Sequence, residues 1–183
     1  AATANADNNA DANAPTSVLT PAIISLTIFF MLLGLSNSGI STFGVVSLMS
    51  GYGLLFSTAN IALTAYLGAS AIGVLAGGFL ADRTHRHGDV AAACFAANVV
   101  IVVLIAMTSP HPVLLIAMMT LAGFLGGVIA PSRDMMVRKA APPGAAGRAF
   151  GIVSTGFNMS GIVSPILFGW IMDQSMPRGV FWM

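Results

Sequence analysis

Ionisable side chains are scarce in this chain, and they are grouped. Asp82, Arg83, Arg86 and Asp89 fall within eight positions, with His85 and His87 between them. No Asp, Glu, Lys or Arg occurs from Ala12 to Ala81, and none again until Arg133 and Asp134. Groups so placed can form ion pairs, but they are poorly placed for catalysis or metal binding. The three histidines have only Cys94, far away, for company, and no nucleophile stands beside a base. No glycine-rich phosphate loop is present, so no ATP-driven cycle is encoded here.

Uncharged polar residues make a second set. Asn37 and Ser41 lie four apart in "GLSNSGIS", and so do Asn60 and Thr64, with Tyr66 nearby. Ser154, Thr155 and Asn158 share one helical face. Such groups are costly in hydrocarbon unless paired, so each face must meet protein or water. Two readings stay open for each: lining a solute cavity, or hydrogen-bonding a neighbouring helix. Asn37 is the first choice for the cavity, then Asn158, then Asn60.

The elements that carry these residues follow from composition. Of 183 residues, 56% are hydrophobic and 7% charged, with a mean hydropathy of +0.88. Soluble domains carry about 25% charged residues. This surface therefore faces something other than water. The net charge of +1 leaves no basic stripe for nucleic acid. A single cysteine excludes an internal disulfide framework, and Cys94 reads as a buried, inert thiol.

About 20 apolar residues are needed to cross a bilayer as a helix. Five runs qualify, at about 22–47, 55–81, 90–108, 113–139 and 149–172, and a partial sixth starts near 180. Residues 1–20, rich in Ala, Asn and Asp, read as a flexible polar tail or linker, and 21–183 as one transmembrane half-bundle. "SGYG" at 50–53, "SPHP" at 109–112 and "APPGAAG" at 141–147 read as breaks, and Pro131 as a kink. The runs are continuous rather than alternating, which argues against a β-barrel. The start at Ala and the stop at "GVFWM", where a new apolar run begins, read as marks of a fragment.

Antiparallel spans put Arg83, Arg86, Arg133, Arg138, Lys139 and Arg148 on one side and Arg178 alone on the other. The positive-inside rule makes that side cytoplasmic, and parity then places the N-terminal tail there too. In segment five, Gly156, Ser160 and Ser164 form one small-residue row, and Gly161, Pro165 and Gly169 a second. Segment three is aliphatic nearly all round, as for a lipid-facing helix, with Asn98 packing inward.

In this setting the charged island resembles the loop signature of the major facilitator superfamily, roughly G-x-x-x-D-[RK]-x-G-R-[RK]. Gly78, Asp82, Arg83 and Arg86 match; His85 and His87 replace the second Gly and the last basic residue. Gly78 is expected to admit a neighbouring helix, and Asp82 to cap another helix's N-terminus. The resemblance implies that Asp82, Arg83 and Arg86 latch two transporter halves, with Arg133 and Asp134 as possible members of the same gating network; the alternative is that the arginines only anchor topology and that Arg133 and Asp134 form a solvated helix end. The stretch from Pro131 to Trp170 resembles the tenth-to-eleventh helix region of bacterial members. The five spans then correspond to helices seven to eleven of twelve, with helices one to five as the other placement.

The expectation is an all-α polytopic membrane protein, one six-helix half of a secondary transporter in a bacterial inner membrane. It is no enzyme and needs no cofactor or metal. Its partners are a small solute, the bilayer and the other half. The cavity candidates are Asn37, Ser41, Asn60, Thr64, Thr155 and Asn158. With no Glu in the chain and no Asp inside a span, any proton-coupling carboxylate falls to the other half. A non-transporting sensor or assembly module on the same scaffold is the alternative.

Overall fold

A computed structural model describes residues 18–84 and 86–182, apart from the side chain of His87. The expected tail falls almost wholly outside the described residues, as does His85. Among the described residues every regular element is helical. They are α1 (Pro21–Ser38), a π-helical turn (Gly39–Phe43), α2 (Gly44–Tyr52), α3 (Phe56–Arg83), α4 (His87–Met107), α5 (Pro112–Ala140), α6 (Ala146–Asp173) and a 3-10 turn (Pro177–Phe181).

Local chemistry sets the helix ends. The Ile23 N–H donates to Thr20 Oγ1 (3.3 Å), and Pro21 takes the first turn, where its missing N–H costs nothing. α1, the π turn and α2 act as one span, Pro21–Tyr52. The expected turn at 50–53 is therefore shorter: helix continues through Ser50, Gly51 and Tyr52. It stops at Gly53, whose φ of +65° is a left-handed cap. The other spans are Phe56–Arg83, Gly88–Met107, Pro112–Ala140 and Ala146–Asp173. α5 continues as helix through Pro131. Where a sixth run was expected from 180, the structure has the 3-10 turn Pro177–Phe181.

Two parallel helix pairs build the bundle. The more extensive joins α3 to α5. Gly73 on α3 meets Phe124 and Gly127 on α5, Gly77 meets Val128, and Gly123 on α5 meets Tyr66 on α3. A Cβ at Gly123 would collide with the Tyr66 carbonyl oxygen, at Gly127 with that of Ser70, and at Gly73 with that of Phe124. Small residues on both helices bring the backbones together, which maximises dispersion contact where the hydrophobic effect gives no drive. The close approach expected at Gly78 is made instead by its neighbour Gly77, since a Cβ on Gly78 would meet open space.

The second pair is α1 with α6. Here the expected row Gly156, Ser160 and Ser164 is buried. Gly156 lies against the Thr27 carbonyl, Ser160 against Gly34, and the Ser164 hydroxyl donates to Ser38 Oγ (2.6 Å). The second row has Gly161 and Pro165 exposed and Gly169 half-buried. α4 packs on α5 and leaves Val99 and Val100 exposed.

Candidate functional site

A cavity of about 400 Å³ opens inside this frame. α1 contributes Ser36 and Asn37, α3 Tyr66 and Ser70, α4 Phe95 and Asn98, α5 Arg133, α6 Phe157, and Trp182 the far end. Most of the wall is aliphatic or aromatic, with a few polar groups. That is the usual make-up of a small-molecule site, whose volumes run from about 300 to 1,000 Å³.

Arg133 is the only charged residue on this wall among the described residues. Its guanidinium lies over the rings of Phe30 (4.4 Å) and Phe157 (5.1 Å). Its Nε donates to Asp134 Oδ1 (3.0 Å). The side chain is 17% exposed, against 46% for Asp134. The cation is thus held by aromatic faces and one carboxylate at the rim. Asn98 supplies a second unusual group: its Oδ1 is buried without a hydrogen-bond partner.

Of the six expected cavity residues, only Asn37 lies on this wall. Ser41 sits in the π turn and donates to the Ser38 carbonyl (3.5 Å). Asn60 donates to the Phe56 carbonyl (2.9 Å) and Thr155 to that of Ile152 (2.6 Å), each within its own helix. Thr64, Thr155 and Asn158 are exposed. Polar residues four apart along one helix are easily recognised in a sequence. Which side of the bundle they face depends on how the helices pack.

The loop signature is equally plain to place. Asp82, Arg83 and Arg86 are exposed. Arg83 stacks its guanidinium over Phe79 (4.0 Å), and Arg86 pairs with Asp89 (2.7 Å). Among the described residues no ion pair joins Asp82 or Arg83 to Arg133 or Asp134, and Arg133 turns into the cavity instead.

Tyr66, Ser70 and Asn98 were not among the cavity candidates, although they line it. Their signal was weak: a single Asn in an aliphatic helix, and a Tyr and a Ser four apart on α3. Arg133, which the sequence leaves between a gating network and a solvated helix end, lies on the cavity wall seven residues before the end of α5 at Ala140.

The opposite end of the bundle has a cluster of its own. Arg178 Nε donates to the Gly51 carbonyl (3.0 Å) and Nη2 to Ser109 Oγ (2.7 Å), with the guanidinium over Tyr52 (4.7 Å). The Tyr52 hydroxyl donates to the Ile105 carbonyl (2.6 Å), and Ser47 donates to the Pro177 carbonyl. The one basic residue on this side thus ties three connecting segments together.

Five apolar helices of spanning length, packed through small residues around a partly polar cavity, define a polytopic integral membrane protein. The profile of the Major Facilitator Superfamily matches residues 24–183, and the chain belongs to that family. It is thereby a membrane transporter of the major facilitator type; members of the family are transporters rather than enzymes. No curated protein and no solved structure matches the chain.

Proposed function

We propose that this chain is one half-bundle of a secondary transporter that moves a small solute by alternating access. The observation that carries the reading is the cavity inside a bundle of this family, walled by several spans and holding polar groups that apolar packing alone would not need. Two halves rocking against each other would expose such a site first on one side of the membrane, then on the other. The placement as the second half rests on the resemblance of Pro131–Trp170 to the tenth-to-eleventh helix region. The basic loops and the N-terminal tail face the cytoplasm, on the charge count, and the membrane is a bacterial inner membrane.

Asp82, Arg83 and Arg86 latch the two halves at the cytoplasmic face in this reading. Their exposure supports it, because groups that engage a partner half have to be accessible on this one. The test is solute flux in vesicles carrying this chain with its other half. Asp82→Asn is expected to reduce flux at least tenfold while leaving membrane insertion intact. Unchanged flux would remove the latch. Unaltered flux in Asn37→Leu would remove Asn37 from the solute path, and absence of any solute flux from the parent protein would favour the non-transporting sensor or assembly module.

A further inference from the structure

The orientation of Arg133 asks for a ligand. It stands seven residues before the end of α5 at Ala140, about 10 Å in at 1.5 Å per residue. An arginine at that depth normally extends its head outward to the interface. Side chains on a helix lean toward its N-terminus, which for α5 is the direction of the membrane interior. Arg133 follows that lean, and Phe30 and Phe157 hold its guanidinium in place. A cation kept inward is costly and marks function more often than packing.

Its partners leave the charge only partly answered. Asp134 takes Nε alone, and that carboxylate is itself half exposed. Among the described residues the two Nη groups make no hydrogen bond. On the same wall, the Asn98 amide oxygen is buried and lacks a donor. Buried polar atoms without partners are rare in folded proteins, and one that lines a cavity is satisfied by what enters the cavity, a water or a solute.

We infer that the cavity binds a small organic anion: a carboxylate on an apolar body that also carries a hydroxyl or N–H. The carboxylate takes the Nη donors of Arg133 in the forked geometry that guanidinium favours. The body lies against Phe157, Phe95 and Trp182. Its hydroxyl or N–H donates to Asn98 Oδ1. With no acidic residue on the wall among the described residues, a cationic solute of the same shape is repelled by Arg133 and gains no partner. The inference gives the substrate class for the transporter reading and rests on it for its physiological sense, though binding can be measured alone.

Trp182 on the wall is a built-in reporter, and Trp170→Phe removes the other tryptophan. The whole chain in lipid nanodiscs is titrated with benzoate, 4-hydroxybenzoate and the neutral isostere benzamide. Saturable quenching by benzoate is expected, with benzamide at least tenfold weaker and 4-hydroxybenzoate tighter. Arg133→Gln abolishes the preference for the anion, and Arg133→Lys retains part of it; circular dichroism melts check that both variants fold. Equal affinity for benzoate and benzamide, or wild-type anion binding by a folded Arg133→Gln, overturns the inference. Absence of any saturable quenching overturns it too, and leaves Arg133 to a carboxylate on a packed neighbouring helix. Benzoate binding without benzoate flux in vesicles would sink the transport reading while the anion site stood. Flux of a neutral solute with no anion binding would do the reverse.

Discussion

Arg178 shows how much one side chain can carry. Nothing in the sequence distinguishes it except its solitude, since six of the seven basic residues share the other side. In the structure it bridges Gly51, Ser109 and Tyr52, so that three chain segments separated by more than fifty residues each are fixed together. Hydrogen bonds from a charged group are worth about 1.5–3 kcal/mol when shielded. Exposure of the Ser109 contact lowers its share. Arg178→Ala is therefore expected to cost about 1–2 kcal/mol, read as a lower unfolding midpoint in detergent. Arg178→Lys should recover less than half, because an ammonium cannot fork between two acceptors and stack at once. An Arg178→Ala protein as stable as the parent would show that the cluster is incidental. Arg133 is the same lesson in reverse. Its charge is conspicuous in the sequence, where it reads either as part of a gating network or as a solvated helix end. Only the packing of Phe30 and Phe157 around it shows that it points into the cavity.

Helices α3 and α5 join through four glycines, and here sequence and structure part in an instructive way. On α6 two small-residue rows were legible, Gly156, Ser160 and Ser164 and, one residue on, Gly161, Pro165 and Gly169; the structure buries the first. The glycines of α3 and α5 also have competitors one residue off: Gly78 beside Gly77, and Gly126 beside Gly127. A shift of one residue turns a side chain by about 100°, so choosing the wrong glycine chooses the wrong face. The structure decides between them, and a paired substitution tests the decision. Gly127→Ala should destabilise by roughly 1–3 kcal/mol, the usual cost of overpacking, because its methyl would meet the Ser70 backbone rather than a flexible side-chain tip. Gly126→Ala meets nothing within 4 Å and should be neutral or gain up to about 1 kcal/mol from helix propensity. Thermal melts of the two variants side by side provide the measurement. Equal effects would contradict the helix interface described here.

At the scale of the whole molecule, the membrane character was the easiest property to read and needed no motif. Long uncharged runs can satisfy their backbone groups in hydrocarbon only as helices. Helix count and class followed directly from that. The positions of polar residues around the bundle did not, since rotation about each helix axis is set by packing partners far away in sequence. This is why Asn37 lies on the cavity wall while Asn60 and Thr155 bond back to their own helices. A consequence belongs to this scale. Exposed apolar residues such as Ile72, Leu75, Ile162 and Ile166 occur on several helices. Extracted chain should therefore stay monodisperse only in detergent or lipid, with aggregation on detergent removal followed by light scattering.

The central claim is that the apolar runs cross a bilayer and that both basic loops emerge on the same side. Single-cysteine labelling with a membrane-impermeant thiol reagent tests it most directly, on a Cys94→Ala background. Arg83→Cys and Arg138→Cys should be labelled from one face of oriented vesicles, and Ser175→Cys from the other. Labelling of Arg83→Cys and Arg138→Cys from opposite faces would contradict the topology and everything built on it.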